Sequence, residues 1–287
     1  MIYDPTLKLG LIAGGGNLPA QVVKAAQEQG GKVHVLGIQN AVSDDLECHD
    51  CFNIEHVGKF LKTFQKAGCR QMVIIGDVQR PNLMTLRPDL EGMKVLARVL
   101  FNSNRGDDVL LREVVYSCNQ AGLEVLPAYS VAKDLSPSAG NLTRKQPDKT
   151  DKADMALGID VTRAVGRMDI GQGSVVCRGQ VLAVEGVDGT DALLHRIAAL
   201  DENLRGSDKR PQGVLVKLPK PQQDRRIDVP AFGLETVENA AKARLSGIVY
   251  EVGGAVFNDL PGCIQRADEL GLFLVGINPD EKDDIPS

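Results

Sequence analysis

The chain has 287 residues, 43% of them hydrophobic and 25% charged, with a formal net charge of −5 and a pI near 5.5. That is length for one large domain or two ordinary ones with a sizeable core, and the acidic balance excludes a general nucleic-acid-binding surface, though not a local basic pocket. No apolar run approaches the roughly 18 residues of a membrane span, the start "MIYDPTLKLG" has no basic leader or signal core, and six cysteines, four of them isolated, fit a reducing compartment; a cytoplasmic address is expected.

Strand-like and helix-like patterns alternate from residue 8 to residue 128. The apolar runs Leu9–Ala13, Lys32–Ile38, Met72–Gly76 and Glu124–Ala128 are short and β-branched enough for buried parallel strands. Helical patterns lie at 18–29, 57–68 and 106–121, and Gly68 and Gly122 mark the ends of two of them. Four βα repeats with right-handed crossovers predict a Rossmann-like, doubly wound parallel sheet over residues 1–133. A further helical pattern at 89–102 puts Leu90, Met93, Leu96, Ala97 and Leu100 on one side, with Lys94 and Arg98 beside them. Core packing is the expectation for such a stripe, and contact with a membrane surface is the alternative.

Residues 134–154 are rich in Pro, Ser, Lys and Asp, and 134–150 read as a linker or, alternatively, as a long surface loop. A helix near 152–167 follows, then a hairpin in "SVVCRGQVLAVEG" turning at Arg178-Gly179. A helix from Asp188 to about Leu200, a strand Val214–Lys217, a helix near 235–245, the strand "GIVYEV", a helix near 259–270 and the strand "LFLVGI" complete a second α/β domain with a mixed sheet over 151–287.

The loop "GLIAGGGNLP" looks like a nucleotide site. A dinucleotide fingerprint needs G-x-G-x-x-G and an acid at the tip of the second strand. Gly14 and Gly16 fit, but Pro19 stands at the third position and "LGIQNA" carries no acid, so NAD is not expected. An anion against Gly14–Asn17 at a helix N-terminus and a plain tight turn both stay open.

"CHDC" (Cys48–Cys51), with His49 inside and His56 nearby, invites a zinc or redox reading. No second C-x-x-C or H-x-x-x-H completes a zinc site, so an incidental loop is expected. His195, beside Arg196 on a helix, reads as exposed or satisfied. Two polar segments resist a packing explanation. In "LAVEGVDGTDALLHR", Glu185, Asp188 and Asp191 bracket a strand-to-helix turn with Gly186, Gly189 and Thr190; they either cap the helix or hold Mg²⁺ and a phosphate together. In "VLVKLPKPQQDRRIDVPAFG", Lys217, Lys220, Arg225 and Arg226 alternate with Gln223, Asp224 and Asp228 in a loop stiffened by Pro219, Pro221 and Pro230. Cations that neutralise phosphate oxygens beside a carboxylate that holds metal or water suit phosphoryl transfer; a solvated salt-bridge loop is the alternative. The candidate metal ligands are Asp188, Asp191, Asp224 and Asp228.

The segments "GLIAGGGNLP", "IIGDVQRP", "DIGQGSVV", "VLAVEGVDGTD" and "VLVKLPKPQQDRRIDVPAFGLETV" occur in one order. Together they resemble the UDP-2,3-diacylglucosamine pyrophosphatases of lipid A synthesis, the LpxI family, over about residues 8–278. The resemblance implies a two-domain enzyme that uses Mg²⁺ to hydrolyse the pyrophosphate of UDP-2,3-diacylglucosamine, with water attacking the sugar-side phosphorus. UMP and 2,3-diacylglucosamine 1-phosphate (lipid X) are the products. It implies that the glycolipid lies between the domains, with weak peripheral contact to the inner membrane and a homodimer as the candidate assembly. The family's essential aspartate falls in "RRIDVP" and so on Asp228, while Val229 and Phe232 depart from the family pattern. Substrate contacts carry over to Gly14, Gly15, Gly76, Asp77, Ser174, Thr190, Asp191, Lys217 and Gln223. Two rival readings are a nicotinamide-dependent oxidoreductase, which only the first half supports, and a non-catalytic nucleotide-sugar or lipid-binding module, which would tolerate loss of the acids.

Overall fold

A computed structural model describes residues 2–78, 86–101 and 108–278; Gln79, Arg80 and Pro81 of the "IIGDVQRP" motif and the first two residues of the helix expected from 106 lie outside these. The chain divides into two compact units, residues 1–133 with 224–228, and residues 134–223 with 229–287.

In the first unit, β1 (Leu9–Ala13), β2 (Val33–Ile38), β3 (Asp50–Phe52), β4 (Gln71–Ile75) and β5 (Glu124–Val125) form one parallel sheet in the order β3-β2-β1-β4-β5. Every residue of β1 is buried, as befits a central strand covered on both faces. Helices α1 (Leu18–Glu28), α2 (Val57–Ala67), α3 (Leu90–Phe101) and α4 (Asp108–Gln120) connect the strands, and Gly68 ends α2 in the left-handed region. Ile12, Leu36, Phe60, Phe64, Met72 and Val115 form the core on one side. Two details depart from the sequence reading. β3 is the tripeptide Asp50-Cys51-Phe52, too short to show a period, held by its pairing with β2 and by Phe52 packed against the core. β5 stops at Val125, because Pro127 has no N–H to extend the ladder, and the short helix α5 (Ala128–Val131) starts behind it.

In the second unit, β6 (Gly140–Asn141), α6 (Lys149–Arg167), β7 (Gly173–Cys177), β8 (Gln180–Val184), α7 (Gly189–Ala198), β9 (Val214–Lys217), β10 (Ala231–Phe232), α8 (Leu234–Lys242), β11 (Gly247–Glu251), β12 (Val256–Phe257), α9 (Leu260–Leu270) and β13 (Phe273–Ile277) follow one another. The main sheet is mixed, in the order β6-β13-β11-β9-β7-β8, with β9, β11 and β13 parallel; β10 and β12 pair separately. Alternation along the strands builds two cores. Val214, Val216, Val249, Phe273 and Val275 face Met155 of α6. Leu215, Ile248, Tyr250, Leu274 and Val175 face Leu194 of α7, Val237 of α8 and Ala267 of α9.

Polar side chains tie α6 and the segment before it into this unit. Asp148 accepts from the Thr150 and Asp151 amides while Asp151 accepts from the Asp148 amide, a capping box at the start of α6. The segment with a linker's composition contains β6, which pairs with β13, and Thr143, whose hydroxyl accepts from the Leu274 amide. Buried Asp154 accepts from the Arg178 and Gly179 amides at 2.8 and 2.7 Å. Those two residues have φ of 53° and 74°, the all-positive pair of a tight hairpin turn, so α6 holds the β7–β8 turn in place.

Candidate active site

In the first unit, the strand order reverses between β1 and β4, the place where open α/β sheets bind ligands beyond their strand ends. Here the two loops at that point join each other. Gly14 N–H donates to Ile75 O (2.9 Å), Gly15 N–H to Asp77 O (2.8 Å) and Asp77 N–H to Gly15 O (3.0 Å). Gly14 and Gly76 make this approach feasible: a Cβ on either would stand 2.7 Å from backbone of the other, and Gly76 has φ +110°. Gly16, at φ +78°, leads into α1. The Gly14 and Gly15 amides are therefore spent on the fold, and the glycines serve loop-on-loop packing.

In the second unit, Lys217 closes β9 on the same face as Leu215, at the end of the core shared with α7 and α8. It is buried, donates from Nζ to Ala231 O (3.2 Å) and lies 5.2 Å from the Phe232 ring centroid. Across the sheet, Lys217 pairs with Gly173 of β7, and the Glu185 amide donates to Gly173 O. Glu185, Gly173 and Lys217 thus form one cross-strand row facing one side. Gly173 adds no side chain to it, and the Glu185 carboxylate leans into that gap: a Cβ on Gly173 would meet Oε2 at 2.9 Å. Burial pulls the Lys217 ammonium below the ordinary lysine range, and the carboxylates of Glu185 and Asp191 push it back up.

The first turn of α7 completes this cluster. Thr190 donates its hydroxyl proton to Glu185 Oε2 at 2.6 Å, and exposed Asp191 accepts from Asn239 Nδ2 at 3.1 Å. Asn239, on α8, is itself buried and accepts from Lys242 Nζ at 3.2 Å. The arrangement presents a buried cation, a hydroxyl and a carboxylate at one strand end, a suitable set for an anionic, hydroxyl-bearing ligand. Asn239 gave no sign of itself in the sequence, since an asparagine in an amphipathic helix is unremarkable until its neighbours are known.

Other residues assigned from the sequence stand elsewhere. Ser174 follows Gly173 and so faces the opposite side of the sheet, fully buried, with its hydroxyl 2.7 Å from Thr162 Oγ1 and donating to Gly158 O. Gln223 Oε1 accepts from the Lys220 amide at 2.8 Å, bracing its own loop. Asp188 is ion-paired with Arg196. Asp224 accepts from Arg226 Nε at 2.8 Å; burial raises its pKa, but the Arg226 hydrogen bonds outweigh that and hold it below the usual carboxylate value. Asp228 is half-buried, with its amide donating to Asp224 O. The 224–228 segment belongs to the first unit because Ile227 packs against that unit's core, whereas the sequence reading placed it in the C-terminal domain. Among the described residues, no group of three or more His, Cys, Asp or Glu side chains is placed to hold a metal ion.

The cysteine motif is spread over a loop and an edge strand. Cys51 sits in β3, Cys48 precedes it, and both are free. Burial, followed by Cys51, pushes the Cys48 thiol up to about 11. His49 Nδ1 accepts from the Val35 amide at 3.2 Å. A protonated thiol and a histidine bonded to backbone are the features of a structural corner.

Fold and cluster together define a class: a two-unit α/β protein, parallel and Rossmann-like in one unit and mixed in the other, with a buried lysine among carboxylates at a strand end. Within that class the family is plain. The LpxI N-terminal domain matches residues 8–135 and the LpxI C-terminal domain residues 138–275. A protein of Caulobacter vibrioides named "UDP-2,3-diacylglucosamine pyrophosphatase LpxI" is 40% identical over 277 residues, covering 96% of this chain and 99% of that one. The chain belongs to the LpxI family. Among solved structures, N5-carboxyaminoimidazole synthetase from Staphylococcus aureus is 12% identical with a TM-score of 0.22, covering 66% of this chain and 43% of that one. N5-carboxyaminoimidazole synthase from Aspergillus clavatus is 15% identical with a TM-score of 0.23, covering 72% and 45%. The chain spans less than half of either.

Proposed function

We propose that this chain hydrolyses the pyrophosphate of UDP-2,3-diacylglucosamine to UMP and 2,3-diacylglucosamine 1-phosphate, a step of lipid A synthesis. The observation that carries this reading is the full-length relation to the Caulobacter vibrioides protein of that name, at 40% identity over 96% of the chain. The Lys217 cluster supports it. A desolvated ammonium is a strong counter-charge for phosphate oxygens, and Gly173 leaves room beside it for the Glu185 carboxylate. Asp228, in the "RRIDVP" segment where the resemblance places the family's essential aspartate, is the carboxylate we assign to the reaction.

Mg²⁺ needs only one or two carboxylates when substrate phosphates complete its shell, and Asp228 fits that demand. Asp188 and Asp224 each neutralise an arginine. When bound, the ion would neutralise phosphate oxygens against the approach of water. The substrate is a glycolipid, so the protein must also reach a lipid surface. No helix among the described residues is long and apolar enough to cross a membrane, and the outward apolar stripe of α3, described below, supports peripheral contact instead.

The test is direct. The purified protein is incubated with UDP-2,3-diacylglucosamine and Mg²⁺, and the products are read by mass spectrometry. UMP and the diacylglucosamine 1-phosphate should appear together, in equal amounts. No UMP would refute the reading.

A further inference from the structure

Glu185 is buried and sits within the cluster that the proposed function uses. Its Oε2 takes the Thr190 hydroxyl proton at 2.6 Å. A threonine hydroxyl has one proton and two lone pairs. With the proton committed to a carboxylate, Thr190 Oγ1 can only accept. We propose that Glu185 is a positioning residue that fixes Thr190 as a hydrogen-bond acceptor, so that Thr190 reads a donor group on the substrate, a hydroxyl or an amide N–H, rather than a phosphate oxygen. Lys217 then takes the phosphate side. The two neighbours divide the ligand between them, one recognising donors and the other negative charge. The same carboxylate faces Lys217 across Gly173, which has no side chain to fill the space between them.

The geometry makes the assignment specific. The Glu185 backbone is held to β7 by its bond to Gly173 O, and Thr190 lies in the first turn of α7, five residues on. The turn between them, through Gly186 and Gly189, exposes Val187 almost fully while Glu185 stays inside. The carboxylate is therefore anchored from the sheet side and orients the helix side. Half-buried Thr190 is the member of the pair that a ligand can reach.

This inference rests on the proposed pyrophosphatase reading, and its test separates the two. Kinetics of UMP release are measured for the wild-type chain, Thr190→Val, Thr190→Ser, Glu185→Met, Glu185→Gln and the double variant Thr190→Val with Glu185→Met, each with its thermal unfolding midpoint. Thr190→Val should raise KM about tenfold, the scale of one lost hydrogen bond, with kcat within about threefold. Thr190→Ser, which keeps the hydroxyl, should recover most of the Thr190→Val loss. Glu185→Met should raise KM by no more than Thr190→Val does, and Glu185→Gln, which keeps an acceptor for the hydroxyl, should recover part of the loss. The double variant should be no worse than Thr190→Val alone, since Glu185 acts through the Thr190 hydroxyl. A wild-type KM in Thr190→Val, or losses that multiply in the double variant, overturns the inference while leaving the activity standing. A lower unfolding midpoint with an unchanged KM in Glu185→Met and Glu185→Gln overturns it as well. A wild-type chain that releases no UMP overturns both.

Discussion

Gly76 shows how a single residue sets the geometry of the first unit. Its φ of +110° is open to glycine and strained for other residues, and a Cβ there would stand 2.7 Å from the Gly14 carbonyl carbon. Gly76→Ala should therefore combine backbone strain with overpacking and cost about 3 kcal/mol. Gly30 also has a positive φ, +80°, but nothing lies within 4 Å of its would-be Cβ. Gly30→Ala should cost only about 1 kcal/mol, the left-handed penalty alone. Urea unfolding of both variants checks this, and equal losses would show that the loop-on-loop approach has no energetic weight. The sequence alone pointed to the glycines of this loop but left two reasons for them open. The physical reason became visible only when Gly14 and Gly76, 62 residues apart, met across neighbouring strands.

At the scale of the element, most segments were legible because they carry a period. β1, the hairpin turning at Arg178-Gly179, and β9 fall where alternation and turn residues put them. The short strands β3, β6, β10 and β12 were missed, because two or three residues are too few to show a period and their stability comes from the partner strand. α3 is the instructive case. Its existence was legible, but the direction of its apolar face was not. Core packing is the usual fate of such a stripe, yet Leu90 is 72% exposed, Met93 48% and Leu100 61%, while Val95 and Gly92 face inward. Leu90, Met93, Ala97 and Leu100 recur at helical spacing on the outward face, with Lys94 and Arg87 exposed nearby. Even half-burying three such side chains in lipid contributes more than about 1.4 kcal/mol. The triple variant Leu90→Ser, Met93→Ser, Leu100→Ser should then lower co-sedimentation with anionic phospholipid vesicles by at least about tenfold, with no change in its unfolding midpoint. Undiminished co-sedimentation would remove α3 as the contact.

For the whole molecule, the decisive contrast is between an enzyme and a binding module, and Asp228 separates them. Its segment, 224–228, rejoins the first unit through Ile227, while the chain on either side belongs to the second. Asp228→Ala should lower turnover by at least about a hundredfold, the scale of one positioned acid–base group, while binding of UDP-2,3-diacylglucosamine by calorimetry changes little. A pure binding module would show no turnover to lose. Near-normal turnover in Asp228→Ala, with loss in Asp191→Ala, would move the chemistry to the first turn of α7.

The sequence by itself determined the class of fold, the placement of the periodic elements and, through five segments in one order, the family. Those properties are local or cumulative: a helix or buried strand is written in its own residues, and a family likeness adds up along the chain. Tertiary structure decided which polar residues share a site and which serve the fold. Ser174 and Gly173 are adjacent in the chain, yet strand alternation turns Ser174 toward α6 and leaves Gly173 between Glu185 and Lys217. Asn239 reaches Asp191 from another helix, and Glu185 draws the Thr190 proton across a turn. Which proton a hydroxyl gives away, and to whom, depends on distances of about 3 Å between residues far apart in the chain, and these exist only once the strands have been laid side by side.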